Sequence, residues 1–166
     1  SEGLGLATGS WVNTGEGGLA KYHLSGKGDI VMQIGPGLFG VRTPEGELDW
    51  DKFKEKANTP EIKAFELKIH QGAKIRGGHV EGAKVTPEIA EIRGVEPWKS
   101  IDSPNRFRQF SNSEELVSLI EKLKETGGKP IGVKLVMGDI ETPDNLLEFM
   151  AKTGKGPDFI TVDGGE

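Results

Sequence analysis

Residues 131–136 read I-G-V-K-L-V and residues 158–163 read D-F-I-T-V-D, and these two segments decide the fold class. The first is almost entirely apolar, as strands buried on both faces of a parallel sheet are, and the second is predicted to be the next buried strand. Between them, Thr142-Pro143-Asp144 is a typical helix start, and an apolar stripe at helical spacing follows it up to Gly154. A strand, a helix and a strand in this order form a right-handed βαβ unit. The sequence therefore predicts an α/β protein with a parallel sheet.

The same alternation of strands and helices continues upstream. A buried strand is predicted for residues 29–34, and a strand with one buried face for residues 65–70, where apolar and polar residues alternate. The remaining predictions are an extended segment at 39–42, a helix at 50–58 capped by Asp49, a helix from Thr86-Pro87-Glu88 to Gly94, a strand end and loop at 101–106, and a helix from Ser113 to Gly127-Gly128. No strand is recognised in residues 1–12.

Two architectures remain open for this sheet. A length of 166 residues suits a doubly wound sheet, whereas a (β/α)8 barrel typically needs roughly 250 residues. Five polar residues nevertheless lie at or just past strand carboxyl ends, where a barrel places its active site, namely Gln33, Gln71, Lys74, Lys134 and Asp163. Lys134 interrupts an apolar strand, and a buried lysine is costly unless it meets an anionic partner. We therefore expect Lys134 to be functional, with a salt-bridged structural lysine as the alternative.

A glycine-rich basic loop follows the strand at 65–70. It reads Q-G-A-K-I-R-G-G-H from Gln71 to His79, so glycines free the backbone while Lys74 and Arg76 supply positive charge for an anion. Such a loop can hold a phosphate or a carboxylate, although a solvated turn with incidental basic residues has the same composition. A second glycine-rich loop at 13–18 carries one carboxylate, Glu16, and an ordinary turn is its alternative.

Composition narrows the class of protein. With 34% apolar and 28% charged residues the chain is globular, and its net charge of −5 argues against nucleic acid as the main partner. The absence of cysteine excludes a disulfide framework, a thiolate metal site and an iron–sulfur ligand within this chain. No apolar run reaches the length of a membrane helix and no signal peptide is recognised, so we expect a soluble cytoplasmic protein.

Six motifs along the chain, taken together, resemble the FMN-binding barrel of the glutamate synthase family. They are N-T-G-E-G-G (13–18), Q-I-G-x-G-x-F-G-V-R (33–42), Q-G-A-K with G-G-H and K-V-T-x-E-I-A-x-I-R (71–93), I-x-S-P (101–104), V-K-L-V (133–136) and D-G-G-E (163–166). Their order is the order in that family, and the resemblance spans nearly the whole chain. The stand-alone, cysteine-poor glutamate synthase-related proteins are the most similar branch.

This resemblance implies a fold, a cofactor and a reaction. The fold is part of a (β/α)8 TIM barrel with parallel strands, and the cofactor is FMN. The reaction condenses 2-oxoglutarate with ammonia, or with nitrogen derived from glutamine, and reduces the imine to L-glutamate with electrons from an unidentified donor. The resemblance also implies roles for individual residues: flavin-ring contacts for Gln33 and Lys134, ribityl and phosphate contacts for Asp163, Gly164 and Gly165, substrate contacts for Gln71, Lys74, Arg93 and Ser103, and catalytic roles for Glu16 and Lys74.

The sequence departs from the family in ways that keep alternatives open. Ile75-Arg76 replaces and shortens the usual loop segment, so the substrate could be a different oxo acid. We expect residues 1–166 to be a single partial domain, cut at both ends, with about five of the eight strands. Such a chain is expected to self-associate through its open sheet edges as a homo-oligomer. A catalytically inert fragment or interaction module is the remaining alternative.

Overall fold

The computed structural model describes residues 10–70, 77–136 and 141–164, with the side chains of 141–143 outside the description. Within these residues a five-stranded parallel sheet curls into half of a barrel. Its strands are β1 (Trp11–Asn13), β2 (Asp29–Ile34), β3 (Ile62–Lys68), β6 (Ile131–Val136) and β7 (Ile160–Asp163). Two further short strands, β4 (His79–Val80) and β5 (Ile101–Asp102), form a separate antiparallel ribbon.

The helices of the described chain lie between these strands. They are α1 (Lys21–Leu24), α2 (Trp50–Ala57), α3 (Pro87–Arg93), α4 (Ser113–Gly127) and α5 (Glu141–Thr153), with a 3₁₀ turn at Gly82–Lys84. The predicted caps of two of them are confirmed. The Asp49 side chain accepts hydrogen bonds from the first turn of α2, and the Thr86 hydroxyl accepts one from the Ile89 amide of α3. At α4 the cap is Asn112, one residue before the predicted Ser113.

The order of the strands decides between the two architectures. Neighbouring strands of the sheet follow chain order, β1-β2-β3-β6-β7, and every neighbouring pair is parallel. A doubly wound sheet reverses direction at a switch point, so its first strand lies in the middle of the sheet. Here β1 lies at one edge and β7 at the other. The sheet is therefore wound in one direction, as a (β/α)8 barrel is, and the predicted partial TIM barrel is confirmed.

The apolar core lies between the outer face of the sheet and the helices. Phe65 of β3 packs on Phe53 of α2 with ring centroids 4.7 Å apart, and both side chains are fully buried. The apolar stripe of α4 covers the same layer through Leu116, Val117, Ile120 and Leu123. Because the helices cover this outer face, the opposite face of each strand points into the barrel interior. Functional side chains are therefore expected on that inner face.

Two predictions about the strands are wrong, and a third is confirmed. Residues 11–13 form β1, whereas no strand was predicted there; a three-residue strand beside glycine-rich segments is too short to show a period. Residues 39–42 are not an extended continuation of β2, because Leu38 and Gly40 have positive φ values of 53° and 84° and fold the chain into turns. The strand end predicted at 101–106 is confirmed, because Ile101–Asp102 forms β5, which pairs with β4 in the antiparallel ribbon.

Among the described residues, no helix is long and apolar enough to cross a membrane.

Candidate functional site

The inner face of β3 is polar and enclosed, which corrects the prediction that this strand has only one buried face. Glu66 is 1% exposed, and the Lys68 side chain, two residues further, is 17% exposed. Both point away from Phe65 and Leu67, which belong to the outer core. The alternation in β3 therefore separates an apolar core from a polar barrel interior and not from solvent.

Glu66 is the centre of a group of hydrogen bonds that we call the Glu66 cluster, formed by Asn13, Gln33, Glu66 and Thr161. The Glu66 Oε1 atom accepts from Asn13 Nδ2 of β1 at 2.8 Å and from Gln33 Nε2 of β2 at 2.6 Å. Its Oε2 atom accepts from the Thr161 hydroxyl of β7 at 2.5 Å. One carboxylate of β3 is thus bonded to three other strands. Three donors fill most of the four acceptor positions that a carboxylate offers.

Glu16 lies next to Lys68 at the carboxyl end of β1. Its Oε2 atom is buried and pairs with Lys68 Nζ at 3.0 Å, and it accepts no other hydrogen bond from the described residues. The side chain is closely confined, since a Cβ atom at Gly35 would lie 2.8 Å from the same Oε2. A carboxylate offers about four acceptor positions, so the contact with Lys68 leaves acceptor capacity unused. Glu16 is therefore positioned to accept a hydrogen bond from a ligand.

Lys134 and Asp163, both predicted cofactor residues, are brought together by neighbouring parallel strands. Lys134 Nζ of β6 lies 3.3 Å from Asp163 Oδ2 at the end of β7, and both side chains are about a quarter exposed, at 23% and 27%. Lys134 is also the register partner of Lys68 on β3, so two lysines lie side by side at the barrel mouth. Among the described residues, a Cβ atom at Gly164, next to Asp163, would have no neighbour within 4 Å.

Arg93, a predicted substrate residue, ends helix α3 beside the loop that carries Glu16. A Cβ atom at Gly17 would lie 3.5 Å from Arg93 Nη2, and the guanidinium lies 5.0 Å from the centroid of the Phe39 ring. Within the described part of the chain, Arg93 takes part in no ion pair. Arginine on an aromatic face without a carboxylate partner keeps its full charge available to a bound anion.

Ser103 follows the antiparallel ribbon and is held against the end of the 71–79 loop. Its side chain is buried, and its backbone N–H donates to the Gly78 carbonyl oxygen at 2.7 Å. His79 Nδ1 and Asp102 Oδ1, from the two strands of the ribbon, are 2.7 Å apart. The ribbon thus anchors the carboxyl-terminal end of the predicted anion-binding loop next to Ser103.

Several predicted site residues lie outside the described residues, namely Gln71, Lys74 and Gly165. Of the others, Glu16 pairs with Lys68 beside the neighbouring Arg93, Gln33 belongs to the Glu66 cluster, and Lys134 pairs with Asp163, which precedes Gly164. Ser103 lies at the ribbon, beside Gly77 and Gly78. Sequence reasoning missed Glu66 and Lys68. The alternation in β3 shows that Glu66 and Lys68 share one face of the strand, but it does not distinguish a solvent-exposed face from a polar barrel interior.

This arrangement can bind a molecule with both anionic and polar parts. Lys68, Lys134 and Arg93 supply positive charge from three different elements, while Glu16 and the amide of Gln33 supply polar atoms. All of these residues lie at or just beyond strand carboxyl ends or on a helix adjoining them, which is the catalytic face of a barrel. The chemistry available is electrostatic binding of carboxylates and stabilisation of a developing negative charge.

Comparison with known proteins identifies the family. A family model described as the conserved region in glutamate synthase matches residues 4–166. The chain is 61% identical over 166 residues to the glutamate synthase large subunit-like protein YerD of Bacillus subtilis (strain 168), covering 100% of this chain and 32% of that protein. The chain therefore belongs to the glutamate synthase family.

More distant relatives carry the family name across bacteria and archaea. An archaeal-type glutamate synthase (NADPH) of Thermotoga sp. (strain RQ2) is 34% identical over 160 residues, covering 94% of this chain and 28% of that protein. An archaeal glutamate synthase (NADPH) of Methanocaldococcus jannaschii is 35% identical over 130 residues, covering 76% of this chain and 23% of that protein. The chain thus spans about a third or less of the length of these relatives.

Proposed function

We propose that this chain supplies part of the synthase site of an FMN-dependent oxidoreductase that makes L-glutamate from 2-oxoglutarate and ammonia. Membership of the glutamate synthase family supports the class of reaction. The single observation that carries the proposal is the inner face of the half-barrel, where the Glu16–Lys68 and Lys134–Asp163 pairs lie at the carboxyl ends of the strands. Residues with these charges suit an anionic cofactor and a dicarboxylate substrate.

The residues present fit a flavin. Lys134 is accessible, and its ammonium carries three donors, of which the contact with Asp163 accounts for one. A Cβ atom at Gly164 would have no neighbour within 4 Å among the described residues, and Gln33 presents a polar group deeper in the barrel. When bound, FMN would supply hydride transfer to the imine carbon. Lys134 would lie at the pyrimidine end, where a positive charge stabilises the negative charge that reduction creates, and Asp163 would orient the lysine.

The proposed substrate residues act by binding and orienting. Arg93 would hold a carboxylate of 2-oxoglutarate through charge-assisted hydrogen bonds, together with Lys74 from the basic loop. Besides its contact with Lys68 Nζ at 3.0 Å, Glu16 Oε2 accepts no hydrogen bond from the described residues, so it can also accept one from an ammonium or imine nitrogen. The ion pair with Lys68 would hold the Glu16 carboxylate in place. Holding both reactants in one orientation is then the main contribution of the protein.

Single-turnover chemistry of the full-length protein tests the proposal. We expect the purified protein to bind FMN, and the anaerobically reduced flavin to be reoxidised when 2-oxoglutarate and ammonium are added together, with L-glutamate as the product. Omitting ammonium is the matched control. If the protein does not bind FMN, the proposed cofactor is wrong. If another 2-oxo acid reoxidises the flavin and 2-oxoglutarate does not, the site acts on a different substrate.

Lys134→Met is expected to keep the fold and weaken FMN binding. Methionine fits an apolar strand, but the loss of the charge should raise the Kd for FMN about tenfold and make the flavin harder to reduce. The measurements are quenching of flavin fluorescence during titration of the apo protein and the midpoint potential of the bound flavin.

Lys124→Met is the matched control for this change. The Lys124 side chain of α4 is 27% exposed, close to the 23% of Lys134, and its Nζ pairs with Asp158 at 3.1 Å outside the barrel. The Lys124→Met variant should keep the FMN affinity and the midpoint potential of the bound flavin at their original values. If the two substitutions have equal effects, Lys134 has only a structural role, through its ion pair with Asp163.

A further inference from the structure

The most deeply buried charged residue of the described chain has no part in the function proposed above. Glu66 is 1% exposed, and its three hydrogen-bond partners are the neutral side chains Asn13, Gln33 and Thr161. Burial of a carboxylate is costly unless hydrogen bonds compensate it, and similar volume could be filled by an apolar residue at lower cost. The position of Glu66 therefore points to a purpose other than packing.

The hydrogen bond from Thr161 to Glu66 crosses the strand that lies between them. Gly132 is the register partner of Glu66 on β6, the strand that separates β3 from β7. The Thr161 hydroxyl of β7 reaches across β6 to the carboxylate. A Cβ atom at Gly132 would collide with the ring of Phe159, which occupies the space next to this glycine. The Glu66 cluster thus spans the sheet from β1 to β7.

The Glu66 cluster fixes the orientation of Gln33. The Gln33 Nε2 atom donates to Glu66 Oε1 at 2.6 Å, and the Gln33 backbone N–H donates to the Thr14 hydroxyl at 3.0 Å. A carboxylate oxygen facing the amide can only accept, so the NH2 group of Gln33 must point to it. The carbonyl oxygen of the same amide is thereby set on the other side. Glu66 decides which end of the Gln33 amide is presented to the barrel mouth.

We infer that Glu66 is a positioning residue for the cofactor end of the site: it fixes the amide of Gln33, which contacts the flavin, and does not contact the flavin itself. This inference rests on the proposed FMN-dependent function. Glu66 would hold the Gln33 side chain in the orientation that binds the flavin before the flavin arrives. A side chain that is already ordered loses less entropy on binding, and this gain explains why a buried carboxylate is kept at this position.

A double-mutant cycle in the full-length protein tests whether Glu66 acts through Gln33. Glu66→Met removes the acceptor at similar volume and should raise the Kd of the apo protein for FMN about tenfold, the size of one lost hydrogen bond of this kind. Gln33→Met should have a similar effect. If Glu66 acts only through Gln33, the double variant is no weaker than either single variant; independent effects would multiply to about a hundredfold and overturn the inference.

Glu66→Gln provides the conservative rescue. Its carbonyl oxygen can accept from Asn13 and Gln33, and its NH2 group can donate to the Thr161 hydroxyl, which is also able to accept. We expect FMN affinity within about twofold of the original value, because hydrogen-bond positioning and not charge is the cause. A loss as large as that of Glu66→Met would contradict the inference.

Two further outcomes separate this inference from the proposed function. If the unmodified apo protein fails to bind FMN, both are refuted. If it binds FMN and Glu66→Met binds equally well, only the role of Glu66 is refuted. Should Glu66→Met fail to fold, Glu66→Asp takes its place in the same cycle, since the shorter side chain withdraws the carboxylate from Gln33.

Discussion

Replacing Arg93 with alanine in the full-length protein is expected to raise the apparent KM for 2-oxoglutarate by about one to two orders of magnitude. Charge-assisted hydrogen bonds contribute about 1.5–3 kcal/mol each, and Arg93 takes part in no ion pair within the described part of the chain. FMN content should stay the same, because the guanidinium lies by Gly17 and Phe39 and not by Lys134. Steady-state kinetics gives the KM for 2-oxoglutarate, and flavin quantification gives the FMN content. Lys74→Ala is expected to act in the same way.

Arg42→Ala is the matched control for Arg93. The Arg42 guanidinium also lies over the Phe39 ring, at 5.9 Å, but one of its nitrogens donates to the Gly37 carbonyl oxygen at 3.2 Å. Arg42→Ala should remove a cation from the face of the same Phe39 ring without removing a residue that binds the substrate. Equal increases in KM for the two variants would mean that Phe39, and not the charge of Arg93, controls substrate binding. Loss of flavin from the Arg93 variant would assign Arg93 to the cofactor or to the fold.

The second large effect is expected at Gly77, where the basic loop meets Ser103. A Cβ atom at Gly77 would collide with the backbone carbonyl oxygen of Ser103, which cannot move aside as a side chain could. Gly77→Ala should therefore lower the free energy of unfolding by about 1–3 kcal/mol and displace the loop from Ser103. Thermal unfolding reports the first effect, and a raised KM for 2-oxoglutarate reports the second.

The adjacent glycine is the control. A Cβ atom at Gly78 would lie 3.5 Å from the Ser103 Cβ, an ordinary contact distance, and Gly78 does not have a positive φ. Gly78→Ala should therefore leave both stability and KM nearly unchanged. If the two alanine variants behave alike, the close approach of Gly77 to Ser103 is not what holds the loop in place.

Local signals in the sequence were sufficient for the longer helices and the longer strands, although the four-residue helix α1 was missed. The cap at Asp49, the Thr86-Pro87 start and the stop at Gly94 all predict helix ends that the structure contains, because these residues satisfy backbone groups within a few positions along the chain. Strands β2 and β6 were equally clear as continuous apolar runs. Features whose cause is local could thus be predicted.

Features that depend on distant partners could not be predicted in the same way. The alternation in β3 could not show whether Glu66 faces water or a barrel interior, since both produce a period of two. The donors to Glu66 lie on three other strands, and the hydrogen bond from Thr161 can form only once β7 lies beside β6. Likewise, the short strand β1 is stabilised by pairing with β2 and not by its own composition.

The Glu66 cluster also has a consequence for the order of folding. Its Thr161–Glu66 hydrogen bond joins positions 95 residues apart in the sequence, whereas the Gln33–Glu66 bond spans 33. At a synthesis rate of about 5–20 residues per second, β3 leaves the ribosome roughly 5–20 s before Thr161 does. During that time the Glu66 carboxylate lacks one of its donors, and water is expected to replace it. The hydrogen bonds of the Glu66 cluster are therefore expected to be completed only after β7 is made.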